Sequence, residues 1–195
     1  MRHDVVVEGH AFRLRPIADA DAPFVLQLRT DPALNRYVHA VSGQLEDQLR
    51  WLASYYERPG DYYFVVERRD DGAAEGVVAV YDVDPATQTA EWGRWILRPG
   101  SLAAIESAWL TYRCALDVLK LSSVCCRTVA NNASVVSFHD SCGIADRRLL
   151  PARFHLGGEA LDAIEHRVAQ ADWPALSAKL EPLARMTARR AARHA

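Results

Sequence analysis

Several short stretches of the chain alternate hydrophobic and polar residues, a pattern that predicts β-strands. The first is FRLRPI, which begins at Phe12 and reaches a proline near its end. Three more apolar stretches follow residue 60, and turn-forming segments (DDGAAEG and DPATQ) separate them. These three predict an antiparallel meander, with the strands YYFVVERR, GVVAVYDVD and TAEWGRWIL.

Apolar residues spaced by three and four positions predict helices elsewhere. Two helical stretches lie between the first strand and the meander: one around ADADAPF, and one from Ser42. The apolar positions of the second are Leu45, Leu49, Leu52 and Tyr56. The longest predicted helix runs from Leu102 to about Lys120, with apolar residues at Leu102, Ile105, Trp109, Tyr112, Leu116 and Leu119.

The remaining elements are a strand, a helix and a pair of strands. SSVCCRTVA reads as the strand, and NASVVSFHDSCG reads as a helix that ends at Gly143. RLLPARFHL and LDAIEHRVA read as two strands around the Gly157-Gly158 turn. This order predicts a mixed α/β (α+β) fold, in which helices flank one largely antiparallel sheet.

Composition places the chain among ordinary globular proteins. It has 195 residues, of which 50% are hydrophobic and 25% charged, as expected for one domain with a substantial core. A net charge of -2 gives no reason to expect a nucleic-acid partner. We assign residues 1–175 to the domain and residues 176–195, with their basic cluster, to a helical or disordered tail without assigned function.

Three further function classes are not indicated. The N-terminus lacks a signal peptide's apolar core and no stretch approaches the length of a membrane span, so we expect a cytoplasmic protein without a membrane partner. The four cysteines form no C-x-x-C pair, which favours reduced, mostly buried thiols. The seven histidines show no metal-ligand spacing, so we expect no metal.

The junction between the third meander strand and the longest helix is a candidate anion site. The strand passes through a short loop of small residues, Gly100 and Ser101, directly into the helix. Unpartnered N–H groups at a helix N-terminus, together with the helix dipole, favour a phosphate or pyrophosphate.

This junction and three other motifs resemble the GNAT (Gcn5-related N-acetyltransferase) superfamily. Residues 98–103, Arg-Pro-Gly-Ser-Leu-Ala, are similar to its Arg/Gln-x-x-Gly-x-Gly/Ala loop, with serine at the first glycine position and alanine at the second. The resemblance covers residues 12–173 and is closest to the ribosomal-protein and aminosugar N-acetyltransferase branches. The other three motifs are AEWGRWIL, VANNASVVSFHDSCGI and GGEALDAIEHRVAQADW.

The resemblance implies the GNAT acyl-CoA N-acyltransferase fold, with acetyl-CoA as co-substrate in a gap beside the strand AEWGRWIL. Asn132 and His139 would contact CoA, although Asn132 also suits a helix entry. Gly100 and Arg98 have plainer alternatives, a turn glycine and a solvated surface arginine. The implied partners of the pantetheine arm are backbone groups of Ile96, Leu97 and Arg98; those of the pyrophosphate are Gly100, Ser101, Leu102, Ala103 and Ala104.

The resemblance also implies catalytic roles. Glu91 would be the base that deprotonates the amine; strict alternation puts it on one face with Gly93, Trp95 and Leu97. His139 would protonate the leaving thiolate, and the Leu97 N–H would bind the oxyanion. The alternatives are a buried structural carboxylate for Glu91 and a solvent-facing helix histidine for His139.

The implied activity is acetyl transfer from acetyl-CoA to a primary amine, foremost a small amine or amino sugar. Acetylation of a protein N-terminus or an antibiotic is a second hypothesis, and a CoA-binding module without turnover is a third. The oligomeric state is open, a homodimer included. Five aromatic residues either line the acceptor pocket or pack in the core: Trp51, Tyr55, Tyr56, Tyr62 and Tyr63.

Overall fold

The computed structural model describes residues 2–191 and centres on an eight-stranded sheet of order β1-β2-β3-β4-β5-β6-β8-β7. Neighbouring strands are antiparallel except β5 and β6, which are parallel. The predicted fold class and meander (β3 to β5) are therefore confirmed. The strands are β1 Val7–Glu8, β2 Phe12–Pro16, β3 Tyr62–Arg68, β4 Ala74–Asp84, β5 Thr89–Leu97, β6 Ser123–Val129, β7 Asp146–Leu156 and β8 Glu159–Ala169.

Five α-helices accompany the sheet within residues 2–191, with a 3₁₀ turn at Asp19–Asp21 before the first. The longest predicted helix differs from the structure at both ends. Leu102 lies in the preceding loop with 37% of its surface exposed, and the last turn, Cys114–Val118, is π-helical. The helices are α1 Ala22–Thr30, α2 Leu45–Tyr56, α3 Ala104–Arg113, α4 Ala133–Ser141 and α5 Trp173–Ala191.

Each face of the sheet carries its own hydrophobic cluster. On one face, Val78 and Trp92 of the sheet pack with residues of α3 and α5. On the other face, Val65 and Val77 pack with residues of α1 and α2. Alternate positions of the same strands thus serve both clusters, which explains why β3 and β4 are apolar almost throughout.

A bulge interrupts β5. Between the pairs Val77–Ile96 and Ala79–Gly93, β5 carries one more residue than β4. Arg94 lies inside this extra stretch, and its φ of 49° is left-handed. A bulge of this kind bends the strand and shifts the side-chain alternation by one position.

The shift corrects the predicted face of Glu91. Trp95 and Leu97 pack on the α3 and α5 face with Trp92. Glu91 instead contacts Tyr81, which packs on the α1 and α2 face. The prediction that Glu91, Trp95 and Leu97 share a face is wrong, because the extra residue lies between them.

The C-terminal segment forms a helix, one of the two forms predicted for it. An apolar face of α5 packs against α3, and Trp109 Nε1 of α3 donates to Ser177 Oγ of α5 at 3.1 Å. Trp173 at the start of α5 donates to Asp117, with both oxygens at 3.0 Å. Residues 192–195 of the predicted tail lie outside the described residues, and the domain limit at residue 175 stays a prediction.

Glu106 attaches the N-terminal strands to α3. Its buried Oε1 accepts the backbone N–H groups of His10, Ala11 at 3.0 Å and Phe12 at 3.2 Å. Burial raises the pKa of this carboxyl group. A Cβ at Gly9 would clash with the same oxygen, so the turn requires glycine there. The first turn of α3 is thereby fixed in place.

None of the helices within residues 2–191 has the length and apolarity needed to cross a bilayer. The cytoplasmic location stays a prediction. The four cysteines are buried and unpaired, as expected: Cys114, Cys125, Cys126 and Cys142.

Candidate active site

The parallel strands β5 and β6 separate partway along their length. Only residues 89–91 of β5 pair with residues 123–125 of β6. Beyond them a cavity of about 720 Å³ opens, with residues 91–96 on one wall and residues 126–129 on the other. The inner edge of β5 therefore presents backbone N–H and C=O groups that no β6 residue pairs with, and an extended ligand can bind to them.

Glu91 lies at the closed end of this gap, as the last β5 residue paired with β6. Its carboxylate is largely buried and accepts from the Tyr81 hydroxyl at 2.8 Å and from the Arg127 guanidinium. Arg127 also donates to Glu165 at 2.8 Å. Burial and the Glu91 carboxylate both raise the pKa of Tyr81, so its hydroxyl stays protonated and donates. These contacts suit a structural carboxylate, and the position on the cavity suits a base.

An arginine and aromatic rings form the wall next to Glu91. Arg94 makes a two-pronged ion pair with buried Asp61, at 2.6 and 2.9 Å. Its guanidinium lies 4.5 Å from the ring centre of Tyr81, 5.4 Å from that of Trp51 and 5.6 Å from that of Tyr63. Sequence reasoning missed Arg94, because strict alternation places it on the opposite face from Glu91.

His139 of α4 is buried rather than solvent-facing, with 1% of its surface exposed. Its ring centre is 5.3 Å from that of Trp92 and 5.2 Å from that of His166. Burial, and then the charge of His166, lower the pKa of His139 to about 3. A ring that is neutral at pH 7 carries no extra proton for a thiolate. The donor role therefore stays a prediction that rests on the neutral N–H alone.

The buried imidazole predicts a pH dependence of stability. Between about pH 6.5 and pH 3 the unfolded chain protonates His139 and the folded chain does not, so stability falls as the pH falls. The His139→Gln variant should remove a slope of at most about 1.4 kcal/mol per pH unit. Urea unfolding at pH 7, 6, 5 and 4 measures it. The His155→Gln control, at an exposed histidine, should keep the wild-type slope of unfolding free energy against pH. A His139→Gln slope equal to that of the wild type would contradict the assignment.

The loop between β5 and α3 has the backbone expected of an anion site. Gly100 adopts a left-handed φ of 78°, and the N–H of Ser101 donates to the carbonyl of Arg98 at 3.1 Å. Ser101 Oγ accepts from the N–H of Ala103 at 3.2 Å, and no side chain of the described residues caps α3. The first N–H groups of α3 thus lack side-chain partners, as anion binding at a helix N-terminus requires.

The predicted site residues fall into three groups. Those on the large cavity come from β5, the start of α4 and α4 itself. A second cavity of about 210 Å³ is lined by most of the loop after β5. The large cavity is lined by Glu91, Ile96, Asn132 and His139. The second cavity is lined by Arg98, Gly100, Ser101 and Leu102. Neither cavity is lined by Leu97, Ala103 or Ala104.

The segment between α1 and α2 covers the other side of the large cavity. Its Tyr37 hydroxyl donates to the Asn131 carbonyl at 2.8 Å and so connects this segment to the start of α4. No periodicity marks the segment, and sequence reasoning missed it.

The five aromatic residues divide between the two predicted roles. Trp51 and Tyr63 line the cavity. Tyr55 is buried, Tyr56 bonds to Asp19, and Tyr62 packs in the cluster of the opposite sheet face.

Within the part of the chain that the structure describes, no three His, Cys, Asp or Glu side chains are placed to hold a metal ion. The expectation that no metal is needed stays a prediction.

Comparisons with known proteins agree with this geometry. The family model described as an acetyltransferase (GNAT) domain matches residues 12–145. No curated protein is significantly similar in sequence. Among solved structures, FdhC, described as a nucleotide-linked sugar GNAT, shares 25% identity at a TM-score of 0.74, over 92% of this chain and 99% of that one.

Two further structures share the fold. A provisionally assigned acetyltransferase from T. thermophilus has 24% identity and a TM-score of 0.79, over 93% of this chain and 98% of that one. A variant of the spermidine N-acetyltransferase SpeG from Vibrio cholerae has 18% identity and a TM-score of 0.72, over 84% of this chain and 96% of that one. Because the family model covers well over half of the sequence, the chain belongs to the GNAT family and is an acetyltransferase.

Proposed function

We propose that this acetyltransferase transfers an acetyl group from acetyl-CoA to the primary amine of a small molecule, such as an amino sugar. The observation that carries the proposal is the gap between β5 and β6, which ends at Glu91. In the reaction the amine nitrogen attacks the thioester carbon, the C–N bond forms and the C–S bond breaks. The ammonium group loses two protons, one to a base before the attack and one as the amide forms; the CoA thiolate takes up one proton, and the other is released.

The described residues fit acetyl-CoA. The inner edge of β5 has backbone groups without a β6 partner, and the helix α3 begins without a side-chain cap. The backbone of Ile96, Leu97 and Arg98 would bind the pantetheine arm, and the loop from Gly100 to Ala104 would bind the pyrophosphate. Small side chains in this loop let a phosphate approach the backbone.

Glu91 is the proposed base, acting directly or through one water molecule. Tyr81 and Arg127 each occupy one of its oxygens and fix its orientation towards the cavity. The backbone N–H of Leu97, or of the bulge residues that line the cavity, would stabilise the oxyanion. A neutral His139 would donate a hydrogen bond from its N–H to the thiolate, which takes its proton from the amine nitrogen or from solvent.

A sugar amine is supported by the likeness to FdhC, described as a nucleotide-linked sugar GNAT. The cavity volume of about 720 Å³ is also in the range of small-molecule sites. Acetylation of a protein N-terminus or an antibiotic, and CoA binding without turnover, are the alternatives that the experiment separates.

We expect acetyl-CoA to raise the melting temperature, because a ligand that binds only the folded state stabilises it by about 2.7 kcal/mol at a hundred times its Kd. Thiol release with a panel of amines, amino sugars and N-terminal peptides then measures turnover. No thermal shift up to millimolar acetyl-CoA would overturn the proposal. A shift without turnover of any amine would favour the CoA-binding module.

A further inference from the structure

The large cavity carries an imbalance of charge. Its lining contains two carboxylates, Asp47 and Glu91, and both already have cationic partners. Asp47 pairs with Arg50 at 2.8 Å, and Glu91 pairs with Arg127. The lining also contains four arginines: Arg29, Arg58, Arg94 and Arg127.

Two of these arginines have no carboxylate partner among residues 2–191. Arg29 donates only to the carbonyl of His39, at 3.0 Å, and its Nε is buried without a hydrogen-bond partner. Arg58 reaches only the Ser54 hydroxyl, at 3.4 Å, and lies 5.5 Å from the ring centre of Trp51. The buried Nε–H of Arg29 without an acceptor is unfavourable, so the site suits a ligand that supplies one. Arg58 is exposed and contributes its positive charge.

We infer that the acceptor is an amine that also carries an anionic group, a phosphate or a carboxylate, and that Arg29 and Arg58 bind this group. The inference rests on the proposed function and names its substrate class. Two unpaired arginines attract an anion and oppose a polyamine, whose ammonium groups need unpaired carboxylates. The same positive charge favours the neutral form of the reacting amine, which is the form that attacks the thioester.

The test compares matched pairs of amines in the wild-type enzyme with acetyl-CoA. Glucosamine 6-phosphate against glucosamine is the phosphate arm, 4-aminobutyrate against butylamine is the carboxylate arm, and spermidine represents the polyamines. We expect kcat/KM to be at least about tenfold higher for the anionic member of one pair, equivalent to about 1.4 kcal/mol. Spermidine should be the poorest substrate.

Arginine variants assign the effect to residues. Arg29→Gln and Arg58→Gln should each bring the anionic-to-neutral ratio of kcat/KM towards one, mainly by raising KM for the anionic amine. Arg29→Lys should retain part of the preference. Arg36→Gln is the matched control, because Arg36 is exposed like Arg58 and stacks on an aromatic ring, that of Tyr37, but does not line the cavity.

The outcomes separate the two proposals. Equal rates for anionic and neutral amines, or a preference that survives both glutamine variants, would overturn the inference and leave the acetyltransferase activity standing. If no amine is acetylated, calorimetry of the CoA-bound protein measures the binding of glucosamine 6-phosphate and of glucosamine instead. Equal or absent binding of the two would then overturn the inference, while stronger binding of the phosphate, lost in Arg29→Gln, would support it.

Discussion

Replacing Glu91 with glutamine is expected to lower kcat by on the order of a hundredfold and to leave CoA affinity nearly unchanged. Glutamine keeps the shape of the side chain and its contact with the Tyr81 hydroxyl, but it cannot take the proton of the ammonium group. The pH dependence of kcat/KM should change as well, because glutamine cannot accept a proton. Steady-state kinetics with a confirmed acceptor between pH 6 and pH 9 measure both effects.

Glu165→Gln is the matched control for this experiment. Both carboxylates bind Arg127, but only Glu91 lines the cavity. If the loss came only from disturbing Arg127, the two variants would lose activity and thermal stability to a similar degree. A Glu91→Gln enzyme with near-normal rates across this pH range would assign the carboxylate to structure and the base to another group.

Replacing Ser101 with glutamate is expected to weaken CoA binding by on the order of a hundredfold. The new carboxylate would stand in the loop before α3, where we propose that the pyrophosphate binds at the positive end of the helix dipole, and would repel it. Ser101→Ala should weaken CoA binding far less, because it removes only the hydroxyl that accepts from the N–H of Ala103. Calorimetric titration with CoA measures the affinities.

Two comparisons make this second test specific to the loop. Ala86→Glu adds the same charge at the exposed turn before β5, at the other end of the strand, and should leave the affinity unchanged. A thioester of pantetheine without the pyrophosphate should react equally with wild type and with Ser101→Glu. Unchanged CoA affinity in Ser101→Glu would place the pyrophosphate elsewhere.

The sequence was sufficient for the elements with strong periodicity. The meander follows from its apolar stretches and the turn-forming segments between them, and the middle of α3 follows from apolar positions at spacings of three and four. The two-residue strand Val7–Glu8 is too short to show a pattern. The helix α5 does show a helical pattern, with buried residues Trp173, Leu176, Leu180, Ala184 and Ala188. Its arginine-rich composition nevertheless favours a tail.

The candidate site was less accessible to prediction. The resemblance placed Glu91, Asn132 and His139 near CoA, and the structure brings all three to one cavity. The burial of His139 could be predicted from the sequence, because His139 lies three positions after the apolar, buried Val136 and therefore on the same helix face. No sequence pattern indicates the position of the unpaired Arg29, because that position depends on how the segment after α1 folds back over the sheet.

The bulge at Arg94 also determines which changes in chain length this enzyme tolerates. A substitution in β5 alters one side chain, whereas loss of one residue between Gly93 and Ile96 would restore strict alternation. Loss of Arg94 would leave Trp95 and Leu97 on the α3 face, but it would remove the bend of the strand and the ion pair with Asp61. Insertions and deletions should therefore be found in the turns at the ends of β5 and excluded from its middle.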